Sequence, residues 1–161
     1  MPAFVDYTTT SLGGNLWRFD YTINNSTPNI DFDELSIYFD VDSFTLLDSL
    51  VAPAGWHVLA LQPDAGIQAD GVYDALNLGG FVASGASLSG FSVVVTYRGT
   101  GVPEAPTFEL IDSTQFSVVW SGSTSPVPGG AIPEPSTALL VLLPLWAIRQ
   151  RVARGFSVPG R

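Results

Sequence analysis

The stretch Leu16-Trp17-Arg18-Phe19-Asp20-Tyr21-Thr22-Ile23-Asn24 switches between apolar and polar residues at every step from Trp17 on. Side chains of an extended chain alternate between two faces, so Trp17, Phe19, Tyr21 and Ile23 share one face and Arg18, Asp20 and Thr22 the other. A helix would scatter the same aromatic set around its circumference. The segment therefore predicts a strand with one face in a core and one in water. Leu35–Val41 repeats the pattern with Leu35, Ile37, Phe39 and Val41 inward, as do Phe91, Val93, Val95 and Tyr97, and then Phe116, Val118 and Trp120. Shorter apolar runs at Phe4–Thr8, Phe44–Val51, Trp56–Leu61 and Phe108–Ile111 bring the total to eight strands separated by turns rich in Gly, Pro, Asn and Ser.

Nothing before residue 137 keeps a 3.6-residue apolar period over three turns, and 16 glycines with 12 prolines would interrupt one. Half-buried antiparallel strands need a second sheet to cover their apolar face. The expected fold is all-β, an antiparallel β-sandwich, immunoglobulin-like or jelly-roll-like, over residues 1–120. At 161 residues the chain has room for one such domain and a tail. With 46% apolar and 13% charged residues it is far from the composition of disorder.

The charge is unevenly placed. All 15 acids precede Thr137 against only Arg18 and Arg98, a balance of −13, while Arg149, Arg151, Arg154 and Arg161 follow with no acid, a balance of +4. The chain has no lysine, and an acidic body is unsuited to a phosphate backbone, so nucleic acid is not an expected partner. The absence of cysteine removes disulfides, thiolate nucleophiles and Cys-based metal sites.

Six acids fall within eighteen residues: Asp31, Asp33, Glu34, Asp40, Asp42 and Asp48. Asp31, Asp33, Asp40 and Asp42 are the calcium candidates, since calcium takes six to eight oxygen ligands. The spacing is not that of an EF-hand loop. The competing reading is an edge strand kept from aggregating by its charges. His57, the single histidine, has no Gly-x-Ser-x-Gly elbow to serve; Gly85-Ala86-Ser87-Leu88-Ser89-Gly90 has another spacing. Asn24-Asn25-Ser26-Thr27 holds two overlapping glycosylation sequons but reads first as a turn. Trp17, Trp56 and Trp120 could stack on sugars, although each sits in an apolar alternation that suggests core.

From Ser121 the composition shifts to Ser, Gly and Pro, an expected linker over residues 121–131. Pro133, Glu134 and Pro135 come next. After them runs Ala138-Leu139-Leu140-Val141-Leu142-Leu143-Pro144-Leu145-Trp146-Ala147-Ile148, and then Arg149, Arg151 and Arg154. Ser136 or Thr137 can cap a helix, and the arginines stand where a cytoplasmic flank carries them. Residues 132–154 resemble the PEP-CTERM sorting signal of exported bacterial proteins, in which a Pro-Glu-Pro motif precedes a membrane helix and an arginine-rich end. Residues 155–161 continue as a tail. The resemblance implies a short C-terminal hydrophobic helix, export, anchoring in the membrane, and recognition by an exosortase, a membrane-embedded processing enzyme, in bacteria that often make exopolysaccharide. The eleven-residue apolar run would span about 16 Å as a helix against a hydrocarbon core of about 30 Å, so the expected anchor is weak. Residues 1–6 lead straight into a strand without the regions of a signal peptide, and the expectation is a truncated start.

The expected function is that of a non-enzymatic cell-envelope or extracellular-matrix protein, surface-associated or secreted after transient membrane anchoring. The alternatives are a carbohydrate-binding module and a small hydrolase.

Overall fold

The computed structural model describes residues 4–26 and 30–127. The expected linker beyond residue 127, the Pro133-Glu134-Pro135 motif, the apolar run, the arginine cluster and the expected C-terminal helix lie outside the described residues. Among the described residues no helix is long and apolar enough to cross a membrane.

Ten strands follow one another: β1 (Phe4–Gly13), β2 (Leu16–Asn24), β3 (Glu34–Phe39), β4 (Phe44–Val51), β5 (Trp56–Leu61), β6 (Gly71–Asn77), β7 (Ser87–Tyr97), β8 (Thr107–Asp112), β9 (Ser117–Ser123) and β10 (Ser125–Pro126). They form two five-stranded sheets in the orders β10-β1-β2-β7-β4 and β5-β6-β3-β8-β9. Every neighbouring pair is antiparallel except β1 and β10. The expected all-β sandwich of largely antiparallel sheets is the observed one.

Alternation places the core where the sequence indicates. Phe19, Tyr21 and Ile23 of β2, Leu35, Ile37 and Phe39 of β3, and Phe91, Val93 and Val95 of β7 are all buried. Phe19 from one sheet meets Phe39 from the other at 5.8 Å between ring centroids, edge to face, and Phe39 meets Phe44 at 5.2 Å in the same manner. Such contacts add specific geometry to the large area each ring removes from water.

Four expectations need correction. β6 was not expected; its inner face is Gly71, Tyr73 and Ala75, too small a set to stand out in sequence. An added Cβ on Gly71 would lie 2.7 Å from Pro63 and 2.9 Å from Leu47, so the packing leaves room only for glycine. β3, read as a possible edge, is the central strand of its sheet. Phe116 is not in the core but 93% exposed with φ +52°, at the end of the β8–β9 turn. Past that turn, a bulge sets Leu110 opposite Trp120 but Ile111 opposite Val118, which leaves Val118 outside and packs Val119 and Trp120 against the core. Finally, residues 121–127 are not linker. Thr124 is buried with its N–H and hydroxyl both on the Pro106 carbonyl at 2.9 Å, and β10 pairs with Asp6 and Tyr7 of β1.

Candidate functional site

The outward face of β3 carries Glu34, Ser36 and Tyr38, and its neighbours supply the residues beside them. In register, Glu34 lies between Leu76 and Ile111, Ser36 between Asp74 and Glu109, and Tyr38 between Val72 and Thr107. The Ser36 hydroxyl donates to Asp74 Oδ2 at 2.9 Å and the Tyr38 hydroxyl to Glu109 Oε2 at 2.7 Å. Three acids on one face of a sheet are tolerated because two of them accept hydrogen bonds from hydroxyls and burial favours the protonated form of the third. Burial pushes the Glu34 carboxyl up to about 7, helped by a hydrogen bond to Asp74 and by the charges of Asp74 and Asp33. Burial, followed by the bond to Glu109, raises Tyr38 to about 12.

At the C-terminal end of β3 this face runs into an open cleft of about 250 Å³ between the β3–β4 turn and the loop before β8. Tyr38, Tyr97, Asp40, Asp70 and Glu104 contribute its aromatic and acidic lining. Asp40 is committed to the turn: Oδ1 accepts from Asp42 N at 3.0 Å and Oδ2 from the Ser43 hydroxyl at 2.8 Å. Asp70 Oδ1 accepts from Val41 N at 3.0 Å. Among the described residues the remaining Asp70 oxygen and the Glu104 carboxylate have no hydrogen-bonding partner within the chain. The cleft thus offers acceptors beside two tyrosine rings, a set suited to hydroxyl groups and not to anions.

The four calcium candidates are not brought together. Asp31 and Asp33 precede β3 and Asp40 and Asp42 follow it, so an extended strand holds the two pairs roughly 20 Å apart. Asp33 is buried and accepts from Ser113 N at 2.8 Å on one oxygen and from the Ser113 hydroxyl at 2.6 Å on the other. It clasps the β8–β9 turn to the start of β3. No group of three His, Asp or Glu side chains among the described residues is arranged to hold a metal ion.

The other residues singled out in sequence are equally dispersed. His57 is exposed on β5, in the opposite sheet from Ser87 and Ser89 of β7, so these residues assemble no triad. Asn25 is buried and donates to the Ile30 and Val82 carbonyls at 2.7 and 3.1 Å, which leaves no room for a glycan. Trp56 stands edge-on against Phe91 at 4.9 Å, and Trp17 and Trp120 are partly buried against the core, as their apolar alternation indicates. Tyr38 and Tyr97 are 59 residues apart on strands of different sheets, so only the packing of one sheet on the other brings them together and no local pattern shows it.

No protein-family model matches the chain, and no curated protein matches it. Among solved structures, it is similar to the cohesin module from a Clostridium perfringens ATCC13124 family 33 glycoside hydrolase. The identity is 9%, the TM-score 0.47, and the likeness covers 78% of this chain and 96% of that one. The two-sheet architecture itself stands on the strand pairing described above.

Proposed function

We propose that this chain is a non-enzymatic, exported β-sandwich protein of the cell envelope or extracellular matrix, recognised through its C-terminal signal by an exosortase-type membrane enzyme. The observation that carries this reading is the order of three parts at one end: Pro133-Glu134-Pro135, the apolar run 138–148, and Arg149, Arg151 and Arg154. The apolar run enters the membrane and the arginines hold its cytoplasmic side, where cations face anionic headgroups. The sandwich, with its acidic surface, is the cargo. Replacing Pro133, Glu134 and Pro135 by alanine in the source organism should abolish C-terminal processing and shift the protein between membrane and surface fractions. Unchanged mature termini by mass spectrometry, with unchanged location, would refute the assignment.

A second reading, carbohydrate binding, is favoured by one observation: the cleft lined by Tyr38 and by Tyr97, the latter half-buried against Phe44 at 5.3 Å, beside solvent-open carboxylate oxygens of Asp70 and Glu104. Aromatic faces pack against the apolar faces of sugar rings while carboxylates accept from their hydroxyls. Exopolysaccharide is the ligand class this set fits. Binding on a glycan array that Tyr97→Ala removes would support it; no signal on any glycan would overturn it.

A further inference from the structure

One wall of the cleft has no secondary structure of its own. It is the segment between β7 and β8, residues 98–106, whose last part, Glu104, Ala105 and Pro106, lines the cleft together with Thr107. A segment without a ladder takes its position from the few groups that tie it down. At its start Arg98 N donates to the carbonyl of Ser43, itself a lining residue, at 2.8 Å. Gly99 then lies so close to the Tyr97 ring that an added Cβ would collide with it, so the loop rests on that ring only because residue 99 has no side chain. At its end the tie is Thr124, whose N–H and hydroxyl both donate to the Pro106 carbonyl at 2.9 Å. Proline has no N–H, so this carbonyl is the one backbone group by which Pro106 can be held.

Thr124 is also where the chain changes sheets. β9 ends at Ser123 in one sheet, and β10 begins at Ser125 in the other. From there Ser125 and Pro126 pair with Asp6 and Tyr7, and Val127 N donates to the Tyr7 carbonyl at 3.0 Å. Thr124 is 3% exposed, although Ser123, Ser125, Pro126 and Val127 around it are all exposed. A short surface strap is therefore pinned at one buried point, and the same point holds the cleft wall. Two residues of exposed ladder open easily, whereas a buried bond is costly to leave unmade.

We propose that residues 124–127 latch the cleft: with this strap seated, Thr124 fixes the Glu104–Thr107 wall, and releasing the strap frees the wall and widens the cleft. Thr124 is thus a positioning residue for the cleft, and Gly99 is a second one. Strap and wall meet at one carbonyl, so the coupling runs both ways: whatever holds the wall also holds the strap, by the reciprocity of linked equilibria. Residues 128–161 follow directly on the strap, so a pull on them reaches the sandwich through this latch. What fills the cleft rests on the carbohydrate reading above; the latch itself does not.

The test is amide exchange and two-dimensional NMR on the full chain in mild detergent, with no sugar present, so that its failure is distinct from a blank glycan array. Thr124→Val keeps the shape of the side chain and loses the hydroxyl bond. Val127 N–H should then exchange about fivefold faster, as the loss of one hydrogen bond allows, and the Glu104 and Ala105 resonances should shift. Thr124→Ser keeps the bond and should leave both at their wild-type values. Val127→Pro deletes the tie to Tyr7 at a residue outside the cleft lining, and should move the same Glu104 and Ala105 resonances. From the other side, Gly99→Ala should raise the exchange rate of Val127 about fivefold while Val93 in the core keeps its wild-type rate. Cleft resonances unmoved by Val127→Pro, a Val127 rate unmoved by Gly99→Ala, a Thr124→Ser protein that behaves as Thr124→Val, or equal acceleration at Val127 and Val93 would each overturn the proposal.

Discussion

Replacing Glu34 by glutamine should raise stability at alkaline pH and leave it unchanged in acid. The carboxyl sits on the outer face of β3 with Asp74 beside it, and its folded value of about 7 stands above the ordinary 4.5. A raised acid binds its proton more tightly in the folded state. Stability is therefore full below about 4.5, falls as pH rises through the window from 4.5 to about 7, and carries the whole penalty above it. Converted without screening, that interval corresponds to about 3 kcal/mol. The carboxyl is open to water on one side, which reduces the penalty to about 1 kcal/mol. For a domain of this size that is a shift in Tm of about 3 to 5 °C. Glu34→Gln keeps a donor for Asp74 and removes the charge, so its Tm should exceed the wild type's by that amount at pH 8 and match it at pH 4. Thermal unfolding followed by circular dichroism from pH 4 to 9 reads both. A Tm difference independent of pH, or a variant less stable than wild type at pH 8, would refute the coupling between Glu34 and Asp74.

Three further outcomes rest on single groups. Tyr21 is wholly buried and its hydroxyl has no hydrogen-bond partner among the described residues, so Tyr21→Phe should stabilise the fold by about 1 kcal/mol in urea titration; a loss of that size would show that the hydroxyl is satisfied. Asp33→Ala removes both bonds to Ser113 and should cost about 2 kcal/mol, with faster amide exchange at the β8–β9 turn as the local signature. Gly71→Ala drives a Cβ against Pro63 and Leu47 and should cost about 2 kcal/mol by overpacking, with a lowered urea midpoint at unchanged slope.

The strands that could be read from sequence are those whose inner face is large and whose outer face is polar. β2 and β3 meet that condition; burial in β2 follows the alternation, and in β3 only the small Ser36, bonded to Asp74, is buried on the outer face as well. β6 reverses it: Val72 and Leu76 on its outer face are more apolar than Gly71 and Ala75 on its inner one. Gly71 is small because Pro63 and Leu47 fill the space beside it, a fact of packing that no local pattern carries. β10 was hidden for another reason. Two residues inside a Ser-Gly-Pro stretch look like linker, and only their partner, Asp6 and Tyr7 about 119 residues earlier, makes them a strand. Phe116 fails by geometry, because the turn held by Asp112 and Asp33 ends before it and ejects its ring.

A linear signal and a surface site differ in what they require of the chain. The Pro-Glu-Pro motif and the runs after it are contiguous, so their order alone states the proposal. The pairs Ser36 with Asp74 and Tyr38 with Glu109 join residues 38 and 71 positions apart, and exist only because β6 and β8 flank β3. The acidic run divides for the same reason: six residues of extended chain carry Asp33 and Asp40 to opposite ends of a sheet, and a cluster in sequence becomes a clasp at one end and a turn cap at the other. β4 and β5 are both short apolar strands at the same side of the sandwich, yet a single glutamine, placed one residue past β5, closes the first and leaves the second open. At Leu47 that side chain takes the place of a neighbouring strand, and removing it tests the idea: Gln62→Ala should free Leu47 N–H and C=O, seen as faster amide exchange at Leu47.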